Sequence, residues 1–169
     1  MQKIFFITGF MAAGKTTAGK QAASMLGLPF YDLDNLVERE TGQKIAEIFA
    51  GPGEAEFRKL EHEAFAELLQ AVSPPAIVAG GGGLPTYGAN QQLLKKCWVI
   101  FLNTPWHEIV GRIEAGSAQR PLLQGRNLEE IHGLWQARCE IYLKFADFVI
   151  EDSIQLSQLL GSLMAGEIQ

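Results

Sequence analysis

The stretch Gly9-Phe10-Met11-Ala12-Ala13-Gly14-Lys15-Thr16 constrains this chain more than any other. It fits the pattern G-x-x-x-x-G-K-[ST] and follows directly on the apolar run Ile4-Phe5-Phe6-Ile7. A loop that cradles phosphates needs a buried strand entering it and a helix leaving it. The helix is legible too: from Thr16 to Leu26, Ala18, Ala22, Met25 and Leu26 fall on one side. A chance match, with Lys15 as a surface side chain, explains the pattern but not its placement. Backbone amides in such a loop wrap phosphate oxygens, aided by the N-terminus of the helix. The expected ligand is a nucleoside polyphosphate, with Lys15 on the β- and γ-phosphates and the Thr16 hydroxyl on Mg²⁺.

The rest of the chain repeats the strand–helix alternation. Leu28 to Asp32, Ala76 to Ala79, Cys97 to Leu102 and Phe148 to Ile150 read as further strands. Their apolar runs are continuous rather than alternating, which suits strands covered on both faces. Glu54 to Ala71 and Leu128 to Ala146 carry apolar residues at helical spacing, and a terminal helix is expected from Asp152 on. Strands alternating with helices predict an α/β fold on a parallel sheet. Gly80 to Gly88 and Gly116 to Gly125 read as loops. At 169 residues the expectation is one domain, 1–169.

A net charge of −5 gives no general attraction for nucleic acid or an anionic membrane, so positive potential must be local. No apolar stretch reaches the length of a bilayer span. The first strand is broken by Gly9, Gly14 and Lys15 and has no cleavage-like site, so no signal peptide is expected. Cys97 and Cys139 lack metal-ligand spacing and suit a reducing, cytoplasmic setting.

Several constellations carry further chemistry. Asp32-Leu33-Asp34 ends the second strand, where ligands of open α/β sheets bind. The two carboxylates share a side if the strand continues that far; otherwise Asp34 serves as a helix N-cap. Arg58 suits bidentate carboxylate recognition, but Glu54 and Glu61 stand one helical turn away as ordinary ion-pair partners. Gly80-Gly81-Gly82-Gly83 follows the third strand and costs conformational entropy unless close approach requires it. Arg120-Pro121-Leu122-Leu123 places an arginine in a loop suited to closing over phosphates, and Arg138 precedes Tyr142 by one turn on the long helix. Spacing alone leaves both arginines open to a solvated surface role. His62, His107 and His132 are scattered, and Trp98, Trp106 and Trp135 suit packing.

In this order the motifs resemble shikimate kinase, from about Lys3 to Ala146. The glycine-rich loop is shared with many unrelated nucleotide-binding proteins; the ordered set is specific. The resemblance implies a three-layer αβα P-loop fold with a five-stranded parallel sheet and a mobile lid at about 115–126. It implies Mg²⁺-dependent transfer of the ATP γ-phosphoryl group to the 3-hydroxyl of shikimate, on the route to chorismate and the aromatic amino acids. Gly9, Ala12, Ala13, Gly14, Lys15, Thr16, Thr17, Arg112 and Arg120 would bind ATP, with Arg112 towards adenine. Thr16 and Asp32 would hold the metal, Asp32 through water. Asp34, Arg58, Gly81, Gly82, Gly83 and Arg138 would bind shikimate, in a segment of about 33–61 and its partners. Lys15, Asp34 and Arg120 would be catalytic. A cytoplasmic monomer is the implied state. The chain departs from the family pattern at Leu84-Pro85, at Arg126, and after Ala146-Asp147, where the usual adenine-side Thr and Pro are missing. A gluconate or nucleoside monophosphate kinase fits the paired aspartates and arginines less well. A silent regulatory module would not need Lys15, Thr16, Asp34 and Arg120 together.

Overall fold

The computed structural model describes residues 4–115 and 125–167. Five strands, β1 (Ile4–Thr8), β2 (Phe30–Asp32), β3 (Ala76–Ala79), β4 (Cys97–Leu102) and β5 (Phe148–Ile150), form one sheet in the order β2-β3-β1-β4-β5. All four neighbouring pairs are parallel, with Ile4 beside Ala76 on one side and Cys97 on the other. The helices are α1 (Lys15–Leu26), α2 (Leu33–Thr41), α3 (Ile45–Ala50), α4 (Glu54–Ala71), α5 (Asn90–Leu94), α6 (Trp106–Glu114), α7 (Leu128–Phe145) and α8 (Ser153–Ala165).

β1 is buried along its whole length, as its unbroken apolar run requires. Phe5 and Ile7 face a core built with Ala18 and Ala22 of α1 and Leu156 and Leu160 of α8. Ile4 and Phe6 face the other layer, with Phe65 and Leu68 of α4, Leu84 and Leu94. Full burial of a side chain such as Phe6 or Ile7 contributes about 1.5–3 kcal/mol, so β1 anchors both layers. A third cluster joins Phe10 and Met11 to Phe101, Ile109 of α6, and Ile131 and Tyr142 of α7. The tryptophans pack as expected: Trp98 against Phe5 and Phe148, Trp106 against Trp135 and His132.

The fold places the site through its topology. β1 lies between β3 and β4, so the strand order reverses at its carboxyl end, where a crevice opens. The loop after β1, the end of β2 and the glycine run after β3 meet there, because β2, β3 and β1 are adjacent.

Three local expectations change. β2 begins at Phe30, two residues later than read from sequence, and it does not continue to Asp34. Helix α2 starts at Leu33, and its N-cap is Asp32 rather than Asp34: Asp32 Oδ1 accepts from the amides of Asp34 and Asn35. A cap of this kind contributes about 0.5–2 kcal/mol, enough to end a three-residue strand at an edge. The Gly80–Gly88 stretch is not all loop; Leu84–Thr86 forms a 3₁₀ turn in which Pro85 is buried.

Candidate active site

The phosphate loop is built from the expected residues. Gly9 (φ 152°) and Gly14 (φ 95°) adopt backbone angles that side chains disfavour, and a Cβ on Gly9 would stand 2.6 Å from the Leu102 carbonyl oxygen. Ala12 is also left-handed, at φ 61°. The loop's carbonyls are turned away and occupied. Lys15 Nζ donates to the oxygens of Gly9 (2.8 Å) and Phe10 (2.9 Å). Arg112 Nη1 donates to those of Ala12 and Ala13, and Thr104 Oγ1 also donates to Ala13. Gly14 is the N-cap of α1 and is followed directly by Lys15 and Thr16, so the helix's amide end opens beside the loop.

Arg112, expected towards adenine, is held at the loop itself, with Nη2 paired to Glu108 at 2.8 Å. It lines the phosphate-side cleft together with Gly14 and Thr17. Arg120 lies outside the described residues, as does most of the expected lid segment 115–126.

Thr16 Oγ1 donates to Asp32 Oδ2 at 2.6 Å. One carboxylate therefore caps α2 with one oxygen and holds the Thr16 hydroxyl with the other. A hydroxyl beside a carboxylate is a hard-oxygen donor set, suited to Mg²⁺ that keeps most of its ligands as water and phosphate oxygen. Among the described residues no group of three or more His, Cys, Asp or Glu is placed to hold a metal ion.

A second cavity adjoins the first. Asp34, Arg58, Gly81, Gly82, Gly83 and Arg138 line it, with an apolar wall of Ile45, Phe49, Phe57 and Met11. Met11, Asp34, Gly81 and Gly82 line both cavities, so Asp34 stands where they join. Arg58 makes both of the ion pairs that its helical spacing suggests. Nη2 pairs with Glu54 at 3.0 Å and Nη1 with Glu61 at 2.8 Å, yet its guanidinium still lines the pocket and only 7% of the residue is exposed. Arg138 Nη1 donates to the Gly82 carbonyl oxygen at 2.6 Å, and Tyr142 Oη donates to the same oxygen at 2.5 Å.

The glycine run is explained by close approach. A Cβ on Gly83 would collide with the Arg58 guanidinium, one on Gly81 with Glu61 Oε1, and one on Gly82 would reach the Gly9 carbonyl oxygen at 2.9 Å. The two arginines, the carboxylates and the phosphate loop all converge on this backbone.

Glu61 was legible only as a partner for Arg58. It is fully buried, and burial pushes its carboxyl up to about 7 against the lowering effect of Arg58. Its position three residues after Arg58, on the inward face marked by Phe57, Leu60 and Ala64, was the available signal. Phe57 directly precedes Arg58, and nothing in the sequence marks Phe49 for the site. Their rings pack at 5.0 Å and form the pocket wall, with Arg58 over Phe57 at 5.1 Å.

A family model described as shikimate kinase matches residues 11–165. A shikimate kinase of Thermodesulfovibrio yellowstonii is 38% identical over 152 residues, covering 88% of this chain and 85% of the relative. One of Synechococcus elongatus is 40% identical over 138 residues, covering 81% and 71%. Among solved structures, shikimate kinase from Acinetobacter baumannii in complex with shikimate superposes with a TM-score of 0.87 at 33% identity, covering 99% of this chain and 95% of that one. The ordered motifs, the sheet and these comparisons agree: the chain belongs to the shikimate kinase family.

Proposed function

We propose that this protein transfers the γ-phosphoryl group of ATP to the 3-hydroxyl of shikimate, giving shikimate 3-phosphate for chorismate and aromatic amino acid biosynthesis. The observation that carries the reading is the junction of two cavities at Asp34: a phosphate-binding loop on one side and a two-arginine pocket on the other. Shikimate is a polyol with one carboxylate. Arg58 and Arg138 come from different helices and suit that carboxylate, while Asp34 suits an acceptor hydroxyl. The apolar wall of Phe49 and Phe57 suits the ring.

In this reading the chain contributes mainly position and charge, which is what phosphoryl transfer requires. Lys15 exchanges its bonds to the Gly9 and Phe10 carbonyls for the β- and γ-phosphates. The amides of the Gly9–Gly14 loop and the start of α1 hold the phosphate chain, with Ala12, Ala13, Gly14 and Thr17 as its lining. Asp34 orients the acceptor hydroxyl and accepts its proton as the bond to phosphorus forms. Thr16 directly, and Asp32 through water, would hold Mg²⁺, which would supply neutralising charge for the phosphates. Arg120, which lies outside the described residues, would add charge stabilisation on the phosphates, and Arg112, bonded to the Ala12 and Ala13 carbonyls and lining the cleft, would bind ATP. We assign the activity to a cytoplasmic monomer of one domain.

A steady-state assay with ATP, Mg²⁺ and shikimate tests the reading, with gluconate and nucleoside monophosphates as competing acceptors. Turnover with shikimate alone is expected. Turnover with another acceptor but not with shikimate would overturn it, and ATP binding without any turnover would point to a silent module.

A further inference from the structure

Glu61 has more around it than an ion pair needs. Its side chain is completely buried on α4, and Oε2 accepts from Arg58 Nη1 at 2.8 Å. Its other oxygen, Oε1, has no hydrogen-bond partner among the described residues. That oxygen lies against Gly81, a residue that lines both cavities. Glu61 Oε1 and Asp34 Oδ1 both fall within 3.3 Å of the point where a Gly81 Cβ would stand. Two carboxylates therefore approach one another from α4 and α2 across a single glycine.

The charges facing Glu61 come from three helices. Arg58 on α4 and Arg138 on α7 favour its ionised form, while Asp34 on α2 opposes it. Glu54, also on α4, acts on it only through Arg58. His62, next along α4, turns away to Asn90 Oδ1 at 2.7 Å and to the ring of Tyr87. The balance rests on two cations facing two anions, with Glu61 itself fully buried. A ligand carboxylate that joins Arg58 and Arg138 adds a third anion to the same group of charges.

We propose that Glu61 is a positioning residue of the acceptor clamp that takes up a proton from solvent, on Oε1, when a carboxylate ligand engages Arg58 and Arg138. This rests on the reading that the two arginines receive the acceptor's carboxylate. Oε2 remains the acceptor for Arg58, so the guanidinium keeps its place while its positive charge is balanced by the ligand carboxylate instead of by Glu61. The free protein is poised for the change, since its Glu61 titrates near 7 and a further anion can only raise that midpoint.

Calorimetry of shikimate binding to the full chain, without metal or nucleotide, tests this in buffers of different ionisation heat. If the midpoint rises by about one pH unit on binding, roughly half a proton is taken up near pH 7.5, and affinity falls about fivefold from pH 6 to pH 8. Glu61→Gln keeps an oxygen for Arg58 but cannot titrate, so it should show neither uptake nor the pH slope. Binding by the native protein with no buffer dependence overturns the proposal, and so does undiminished uptake in Glu61→Gln. If that variant does not fold, the native buffer series still decides. No binding of shikimate at all would instead overturn the clamp reading on which the proposal stands.

Discussion

Arg58→Met separates what this arginine does for the fold from what it does for the ligand. The pair with Glu54 involves a carboxylate that is 47% exposed, and its loss costs less than about 1 kcal/mol. The pair with Glu61 is buried, and stripping the partner from a buried charge costs about 3–5 kcal/mol. Glu61 escapes part of that cost by protonating, because its carboxyl already titrates near 7. The net loss at neutral pH is expected at the low end, about 3 kcal/mol, which lowers the melting temperature by about 6–12 °C in a chain of this size. Loss of a charged contact to the acceptor carboxylate should weaken shikimate binding by about 2–4 kcal/mol, or about 30- to 1,000-fold. ATP affinity should change little, since the phosphate loop lies beyond Asp34 and Gly82. The decisive variant is Arg58→Met combined with Glu61→Gln. It removes the stranded carboxylate, so melting should recover by about half or more of the loss while shikimate binding stays weak. Equal losses for both ligands, or recovery of shikimate affinity in the double variant, would refute the division of roles.

Gly83→Ala should act on the same pocket from the opposite side, since its Cβ would collide with the Arg58 guanidinium held by Glu54 and Glu61; titration should show at least a tenfold loss of shikimate affinity, about 1.4 kcal/mol, with ATP affinity kept. The raised Glu61 carboxyl makes a signed prediction for stability. The folded state holds the proton more tightly than the unfolded chain, so the contribution is full below pH 4.5 and is lost as pH rises to about 7. Denaturant titrations across that window should show the native protein losing about 3 kcal/mol more than Glu61→Gln, and parallel curves would contradict the burial argument.

The strands and the phosphate loop were legible because their signals are local. β1, β3, β4 and β5 appear with the bounds read from their apolar runs. The start of β2 differs because Leu28 and Pro29 are apolar yet lie ahead of the paired register: Pro29 only accepts a hydrogen bond from the Ile77 amide, and Phe30 to Asp32 are the residues in register with β3. The switch at Asp32 depends on one side chain satisfying two amides and a hydroxyl 16 residues earlier, and composition does not show such a contact. The site was legible as a set of residue types and less so as geometry. Arg112 illustrates the difference. Its charge marked it for the nucleotide, but its reach to the Ala12 and Ala13 carbonyls spans about 100 residues and emerges only when β4 and α6 are laid beside the loop. Glu61 was hidden for the opposite reason: a glutamate one turn from an arginine looks like a surface pair, and its burial depends on α2, α7 and the glycine run closing around it.

The junction between Asp32 and Asp34 acts as a ruler cut into the backbone. Asp32 is the last residue of a strand and Asp34 lies in the first turn of a helix, so the carboxylate bonded to Thr16 and the one at the junction of the two cavities are separated by one change of backbone geometry rather than by a flexible segment. A helix turns about 100° per residue, so one inserted or deleted residue here would swing the second carboxylate off the acceptor cavity while leaving its chemistry intact. Leu33 locks the phase, because its side chain is fully buried against the sheet. What this short stretch preserves is therefore a count as much as a composition. An aspartate one step out of phase would keep the fold's charge and lose its alignment with the phosphate.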